Sequence, residues 1–191
     1  MIGQNRIVSS ESEDLILVDR QDAEIGYLSK AECHNGAGVL HRAFSLFLFN
    51  DGGELLLQQR STQKRLWPGH WSNSCCSHPR RGESMEVATR RRLSDELNFE
   101  TALEHVYHFC YTASFGDAGS ENELCHVYLG RASDAVHANE SEIADIRFVR
   151  AAALGIEMQD FPERFTPWFK QEWEELLDNH REQLASYCNL G

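Results

Sequence analysis

The stretch from residue 67 to residue 83 concentrates side chains that can do chemistry. It reads W-P-G-H-W-S-N-S-C-C-S-H-P-R-R-G-E and contains the adjacent thiols of Cys75 and Cys76, followed by His78. In an extended segment successive side chains alternate between two sides, so Cys76 and His78 are expected to face one way and Cys75 the other. Pro79 favours an extended conformation at His78. The pattern predicts a thiol and an imidazole that face one cavity.

Two more histidines and two glutamates are candidates to complete this cavity. His34 and His41 flank a glycine-containing interval, a predicted loop that can fold both imidazoles onto one point, although such a pair alone is more often ordinary surface or core. Glu121 and Glu123 lie at the entry to a predicted strand and share one face, where two carboxylates are unfavourable without a cation or a shared proton. Imidazole with carboxylate suits Mn²⁺, Zn²⁺ or Fe²⁺, so Cys76 is interpreted as reactive rather than ligating.

Basic side chains lie in two places, each of which has two interpretations. Arg60, Lys64 and Arg65 follow a predicted hairpin and could form a solvated loop or part of an anion site. Arg92 and Glu96 are four residues apart on a predicted helix and project together. They could form a surface salt bridge, or a phosphate-binding arginine beside a metal-binding glutamate.

Composition limits the classes of function. The chain has 191 residues and a formal net charge of −12, which argues against a general nucleic-acid or anionic-membrane binder. The sequence contains no secretory signal pattern and no apolar run long enough to span a bilayer, so we expect a cytoplasmic protein. In that compartment the six cysteines are expected to be reduced.

Hydrophobic patterning predicts a mixed α/β domain. We expect strands at residues 15–18, 42–50, 55–59, 106–113, 124–129 and 146–149. The second of these is almost continuously apolar, as in a strand covered on both faces. We expect residues 1–12 to form a flexible N-terminal arm and residues 13–191 to form a single domain.

Two longer helices are predicted as well. The first covers residues 83–97, with Ser84 as a possible N-cap and Asn98 as a left-handed end. The second begins at Thr166 and Pro167 and runs to about residue 184.

These motifs resemble those of the type 1 isopentenyl-diphosphate isomerases, a branch of the Nudix superfamily. The shared pattern is W-P-G-x-W-S-N-S-x-C-x-H-P-x-x-G-E, preceded by H-x₆-H and followed by E-N-E, and the likeness extends from about residue 15 to the C-terminal helix. It implies a Nudix-type mixed β-sheet sandwich flanked by helices, with a C-terminal helix. It also implies the interconversion of isopentenyl and dimethylallyl diphosphate in isoprenoid biosynthesis, through protonation of the alkene, a tertiary carbocation and removal of another proton.

The resemblance assigns catalytic roles to four residues. Cys76 and Glu123 would act on opposite sides of the five-carbon chain, and Tyr111 would hydrogen-bond in the acid/base relay. The π-face of Trp168 would stabilise the cation.

The resemblance also implies two metal ions and a diphosphate site. The expected ligands of a first divalent ion, which would be Mn²⁺, Zn²⁺ or Mg²⁺, are His34, His41, His78, Glu121 and Glu123. A Mg²⁺ bound with the diphosphate would be held by Glu96 and the main chain of Cys76. The residues expected to bind the diphosphate are Lys30, Arg60, Lys64 and Arg92.

Two positions depart from the family pattern. Ser77 replaces a glycine and would be strained if that glycine had a positive φ. Arg92 replaces a Nudix-box glutamate, a typical metal ligand in diphosphate hydrolysis, and this favours isomerisation. The alternatives are a Nudix-type diphosphate hydrolase and a diphosphate-binding protein without turnover. We expect a small-molecule isoprenoid diphosphate as substrate, no nucleic-acid or membrane partner, and a monomer or weak dimer.

Overall fold

A computed structural model describes residues 7–132 and 135–190, and their strands belong to one mixed sheet system. The strands are β1 Asp14–Val18, β2 Glu24–Ser29, β3 His41–Phe49, β4 Leu55–Arg60, β5 Trp71–Ser72, β6 Cys75–Ser77, β7 Leu103–Ser114, β8 Ser120–Arg131 and β9 Ile143–Val149. The α-helices are α1 Lys30–Cys33, α2 Met85–Leu97, α3 Ala151–Asp160, α4 Pro167–Asn179 and α5 Arg181–Ala185. The predicted mixed α/β architecture is confirmed.

Strand β3 is the centre of this architecture. It pairs in parallel with β8 along its whole length, and antiparallel with β6 and β1. The predicted hairpin between β3 and β4 exists, but its strands pair only at Phe49 and Leu55. Beyond that point β4 pairs with β5 and β9 instead. The sheet therefore splits, and a pocket can form between its two parts.

The two faces of β3 are covered by different helices. Phe44 and Leu48 pack in one cluster with Leu93 of α2. The alternate side chain Phe47 packs in another cluster with Phe169 of α4. All of these side chains are buried, as predicted for a strand covered on both faces.

Helix α2 begins and ends as its sequence predicts. The Oγ atom of Ser84 accepts a hydrogen bond from the backbone N–H of Val87, and Asn98 adopts the left-handed conformation at φ 58°. The helix itself begins at Met85, two residues later than predicted. These caps fix the helix that carries Arg92 and Glu96 under the pocket.

The prediction of one continuous C-terminal helix is wrong, because α4 ends at Asn179 and α5 begins at Arg181. Between them His180 leaves the helical region and its ring stacks on Tyr107, with centroids 4.7 Å apart. The bend lets Leu184 reach the core. Among the described residues, none of the helices is long and apolar enough to cross a membrane.

Candidate active site

Three histidines converge from separate elements. His34 follows α1, His41 begins β3 and His78 follows β6. Their ring centroids lie 4.8 to 5.3 Å apart. The predicted loop between His34 and His41 does bring the two imidazoles together.

Two glutamates of β8 face these histidines. The parallel register places Glu123 beside His41, and Glu121 lies two residues earlier on the same face. Oε2 of Glu121 is 2.8 Å from Nε2 of His34, and Oε1 of Glu123 is 2.7 Å from Nε2 of His78. The five ligating atoms all lie within 4.8 Å of one another.

The hydrogen bonds of the histidines orient their Nε2 atoms toward the centre of this cluster. Nδ1 of His34 is 2.6 Å from the Lys30 carbonyl, and Nδ1 of His41 is 2.7 Å from the Val39 carbonyl. Because a carbonyl only accepts, each Nδ1 carries a proton, and each Nε2 faces the centre of the cluster.

The cluster fits a divalent cation. Nε2 of His41 and Oε2 of Glu121 are buried without a hydrogen-bond partner, although the latter lies close to Nε2 of His34. Burial and the two neighbouring imidazoles hold the pKa of His78 well below its usual range. Burial opposes protonation of His34 as well, but the charge of Glu121 and its hydrogen bond outweigh burial and raise the pKa of His34. Imidazole nitrogens and carboxylate oxygens gathered at one point are ligand atoms that suit a divalent cation.

The predicted catalytic pair lines one pocket next to this cluster. The partly buried Cys76 and the buried Glu123 both face it. Burial raises the pKa of the Cys76 thiol to about 12, although the nearby Arg60 guanidinium opposes this shift. Nη1 of Arg60 lies 3.8 Å from Sγ of Cys76. At neutral pH the thiol therefore keeps its proton.

Glu123 is held as a carboxylate. Burial raises the pKa of Glu123, but its interaction with His41, whose Nε2 lies 3.6 Å from Oε1, and the hydrogen bond from Tyr111 outweigh burial and lower it overall. The hydroxyl of Tyr111 donates a 2.6 Å hydrogen bond to Oε2 of Glu123. One pocket thus contains a protonated thiol and an ionised carboxylate.

Trp168 forms part of the apolar wall of the pocket. It is 3% exposed, and its Nε1 donates to Oγ of Ser72 at 3.1 Å. The edge-to-face ring of Trp67, with its centroid 5.2 Å away, holds it further. The aromatic predicted to stabilise a cation is therefore fixed in place.

The predicted diphosphate-binding residues meet at the mouth of the same pocket, which is lined by Lys30, Arg60, Lys64 and Arg92. Within this group Lys64 and Arg92 are joined by the carboxylate of Glu142. Burial and the charge of Lys64 lower the pKa of Lys30. The interpretation of these residues as separate solvated surface charges is therefore wrong.

Residues just before β1 lie against this basic wall. The carbonyl of Val8 accepts from Arg92 at 3.2 Å, and Oγ of Ser9 accepts from Nζ of Lys30 at 2.6 Å. Glu11 also lines the pocket. Residues 1–6 of the predicted arm lie outside the described residues, and its flexibility stays a prediction.

Comparisons with known proteins agree with this arrangement. A NUDIX domain model matches residues 39–169. A relative from Photorhabdus laumondii subsp. laumondii, "Isopentenyl-diphosphate Delta-isomerase 1", is 38% identical over 175 residues, which cover 91% of this chain and 99% of the relative. The isopentenyl-diphosphate Delta-isomerase of Salmonella heidelberg is 38% identical over 178 residues, with coverages of 92% and 97%. The chain belongs to the Nudix family of isopentenyl-diphosphate Delta-isomerases.

The NUDIX domain model, together with a structural neighbour, confirms the predicted Nudix fold. The crystal structure of DR0079 from Deinococcus radiodurans superposes with a TM-score of 0.64 and covers 78% of this chain and 90% of that protein. Its sequence identity is 24%, so the likeness concerns the fold alone.

Ser77 is accommodated in this member of the isomerase family without strain. It ends β6, pairs with Phe44 and lies outside the positive-φ residues of the described chain. The condition on which strain was expected, a positive φ at this position, is therefore not met. Cys75 points away from the pocket into the α2 cluster, where its Sγ lies 3.5 Å from Oε1 of Glu96. The alternation predicted for the two thiols is correct.

Arg92 and Glu96 are paired, but in the interior and not on the surface. Both are 2% exposed, and Nε of Arg92 donates to Oε1 of Glu96 at 2.8 Å. The charges of Glu96 and Glu142 raise the pKa of Arg92 against the effect of burial. Glu96 lies behind Arg92 and does not itself line the pocket. Its role as a Mg²⁺ ligand stays a prediction.

Sequence reasoning missed Glu142. Its carboxylate accepts hydrogen bonds from Lys64 and from Nη2 of Arg92, the latter at 3.0 Å, and it is 4% exposed. The residue lies in the segment before β9, where no periodicity or motif marks it. A buried carboxylate that joins two of the basic residues sets their positions, and only the tertiary structure reveals it.

Proposed function

We propose that this member of the isomerase family interconverts isopentenyl diphosphate and dimethylallyl diphosphate in isoprenoid biosynthesis. The observation that carries the proposal is the pairing of a protonated thiol, Cys76, with an ionised carboxylate, Glu123, in one pocket. A double-bond shift by protonation and deprotonation needs one group of each kind.

In the forward direction Cys76 protonates the terminal carbon of the alkene, and the π electrons form the new C–H bond. This step leaves a tertiary carbocation. Glu123 then removes a proton from the carbon that lies between the cationic carbon and the diphosphate-bearing carbon. The electron pair of that C–H bond forms the new double bond. The reverse reaction exchanges the two roles. Proton exchange with solvent restores the thiol and the carboxylate between turnovers.

An alkene is a very weak base, so the cation needs stabilisation inside the pocket. The buried indole of Trp168 offers a π-face that attracts positive charge, and the guanidinium carbon of Arg60 already lies 5.2 Å from its ring centroid. Tyr111 holds Glu123 toward the substrate through its hydrogen bond. Exclusion of water from the pocket during turnover would protect the cation from capture.

Diphosphate binding anchors the reacting carbons. Lys30, Arg60, Lys64 and Arg92 supply the positive charge, and Glu142 positions two of them. We propose a Mg²⁺ bound with the diphosphate by Glu96 and the main chain of Cys76.

We further propose that the cluster of three histidines with Glu121 and Glu123 holds Mn²⁺, Zn²⁺ or Mg²⁺. A bound divalent ion would supply positive charge that fixes the Glu123 carboxylate and adjusts its basicity. We expect the active form to be a monomer or a weak dimer.

The deciding experiment incubates the purified protein with isopentenyl diphosphate and Mg²⁺ in D₂O. We expect dimethylallyl diphosphate with deuterium incorporated from solvent, observed by ¹H NMR, and an intact diphosphate observed by ³¹P NMR. Removal of divalent ions with a chelator should abolish turnover, and Mg²⁺ or Mn²⁺ should restore it.

The same experiment separates the competing functions. Release of phosphate from isopentenyl diphosphate or from a nucleotide panel would instead indicate a Nudix hydrolase, against which Arg92 argues. Tight binding without product by the correctly metallated protein would contradict the isomerase proposal and indicate a diphosphate-binding protein.

A further inference from the structure

A second group of histidines lies on the outer surface of the β7–β8 hairpin, formed by His105, His108 and His126. We call it the outer histidine cluster. One ring nitrogen from each of the three lies within 4.8 Å of the others. The ring centroid of His126 is 5.2 Å from that of His105 and 5.3 Å from that of His108. His105 and His108 are exposed, and the isomerisation mechanism uses none of the three.

A β-bulge creates this cluster. Residues 105 and 108 are three apart, so in a regular strand their side chains would point to opposite faces. The register of β7 against β8 shifts between His105 and Tyr107, which leaves one extra residue at 106. After the shift His105 lies opposite Tyr128 and His108 lies opposite His126, so both histidines occupy the face that His126 shares.

An acidic side chain orients the central imidazole. Nε2 of His126 is 2.9 Å from Oδ2 of Asp22, and Nε of Arg42 donates to the other carboxylate oxygen at 2.7 Å. Because the carboxylate accepts, Nε2 of His126 carries the proton, and Nδ1 of the neutral ring is left with a lone pair. This is the carboxylate–histidine arrangement that supports metal ligands in proteins.

The Nδ1 lone pair of His126 faces a second candidate ligand atom, in a contact that is a hydrogen bond when Nε2 of His105 carries a proton. Nδ1 of His126 lies 3.2 Å from Nε2 of His105. Two nitrogens bound to one tetrahedral Zn²⁺ at about 2.0 to 2.1 Å each would be separated by roughly 3.3 Å. The spacing of the two rings already matches that of adjacent ligands, and His108 is close enough to be the third.

We propose that the outer histidine cluster binds one divalent transition-metal ion, with Zn²⁺ as the representative ion and water in its remaining position. Three imidazoles without a carboxylate ligand favour Zn²⁺, Cu²⁺ or Ni²⁺ over Mg²⁺ and Ca²⁺. The site shares no residue with the pocket cluster, whose members follow α1, begin β3, follow β6 and lie on β8. The inference is therefore independent of the isomerase function.

A bound ion would connect β7 to β8 and, through His126, to the turn that carries Asp22. Because the unfolded chain does not assemble this site, binding stabilises the folded state. The expected consequence is a Zn²⁺-dependent rise in the thermal unfolding midpoint beyond the rise that the pocket cluster produces.

The test uses the untagged full-length protein and Zn²⁺ alone as the probe. Isothermal titration should give two ions per chain for the wild type and for His137→Asn, which removes an exposed histidine elsewhere. In His108→Asn the outer site should bind at least tenfold more weakly, while the pocket site is unchanged. Asp22→Asn keeps all three ligands and should weaken the outer site by about 10- to 100-fold.

A second readout distinguishes exposed from buried sites. The wild type and His137→Asn should be retained on an immobilised Ni²⁺ column, whereas His108→Asn should elute early. Isomerase turnover at saturating Mg²⁺ should be equal in all of these variants. If His108→Asn folds poorly, His105→Asn replaces it.

The proposal is overturned if His108→Asn and His105→Asn bind Zn²⁺ with the stoichiometry and affinity of the wild type. It is also overturned if the wild type binds only one Zn²⁺ ion per chain and substitution of the pocket histidines abolishes that binding. In either case the three rings are an aromatic surface cluster without a metal site.

Discussion

Tyr111 and Glu123 lie directly opposite each other on β7 and β8, and the Tyr111 hydroxyl donates a 2.6 Å hydrogen bond to Oε2 of Glu123. Cross-strand neighbours of this kind share one face of the sheet. Burial and the Glu123 charge raise the pKa of Tyr111 well above its ordinary value, so the phenol keeps its proton. The phenol therefore acts as a fixed donor to the carboxylate that we assign as the base.

Replacing Tyr111 with phenylalanine should lower kcat about 10- to 100-fold, because a hydrogen bond to a charged group contributes about 1.5 to 3 kcal/mol. KM should change little, since the hydroxyl bonds to Glu123 and not to the basic residues. Steady-state kinetics with isopentenyl diphosphate measure both constants. The matched control is Tyr107→Phe on the same strand, whose hydroxyl bonds to the Glu172 carbonyl. Equal kcat in Tyr111→Phe and in the control would contradict the assigned role.

The adjacent thiols provide a second comparison. Cys76→Ala should reduce kcat by about 10²- to 10⁴-fold, because it removes the proton donor. Cys75→Ala deletes a buried atom of the α2 cluster and should keep most of the turnover, with a loss of stability of about 1 kcal/mol. The measurements are turnover at saturating substrate and urea unfolding of both variants. An active Cys76→Ala protein would remove Cys76 from the mechanism.

Local patterns predicted which candidate site residues share a face, but they did not predict the buried charges that surround the site. Alternation in a short strand separates Cys75 from Cys76, and alternation in β8 unites Glu121 with Glu123, because each depends only on neighbouring residues. Glu142 could not be found in this way, since its partners are Lys64 and Arg92, far away in the sequence.

Two other differences have the same physical origin. The stacking of His180 on Tyr107 accompanies the break in the C-terminal helix, and helix propensity carries no information about that contact. Ser77 could be assessed only once its backbone was seen in β6, because a family glycine alone does not reveal the sign of φ. The position of the helix break and the backbone conformation of Ser77 thus depend on tertiary contacts and not on the local sequence.

Glu142 should contribute to stability in a pH-dependent way. Burial raises the pKa of Glu142, but Lys64 and Arg92 outweigh burial and lower it from 4.5 to about 2. Its contribution is therefore complete above pH 4.5 and is lost as the pH falls toward 2, by up to about 1.4 kcal/mol per pH unit. Glu142→Gln should reduce the free energy of unfolding at pH 7 by about 3 kcal/mol and flatten this acid dependence.

Urea unfolding at several values between pH 3 and pH 7 measures this effect. Glu157→Gln is the control, because its pair with Arg147 is more exposed and is expected to contribute at most about 1 kcal/mol. Glu157→Gln should keep the acid dependence of the wild type. If Glu142→Gln keeps it as well, Glu142 is not ionised and paired as described.

Glu172 should produce the opposite dependence at higher pH. It is fully buried on α4, Cys125 Sγ lies 3.5 Å from its Oε1, and burial raises its pKa from 4.5 to about 8. Between these pKa values the native state holds a proton that the unfolded state has released. Stability should therefore fall as the pH rises from 4.5 to 8, by up to about 1.4 kcal/mol per pH unit, and level off above that.

Glu172→Gln keeps the shape and removes the titration, so its free energy of unfolding should be nearly independent of pH in this window and should exceed that of the wild type at pH 8. Urea unfolding at pH 5, 6, 7 and 8 gives the two slopes. Glu174→Gln removes an exposed carboxylate from the same helix and should keep the wild-type slope. A Glu172→Gln slope equal to the wild-type slope would mean that Glu172 is ionised in the native state, and that a cation or a proton donor reaches its buried carboxylate.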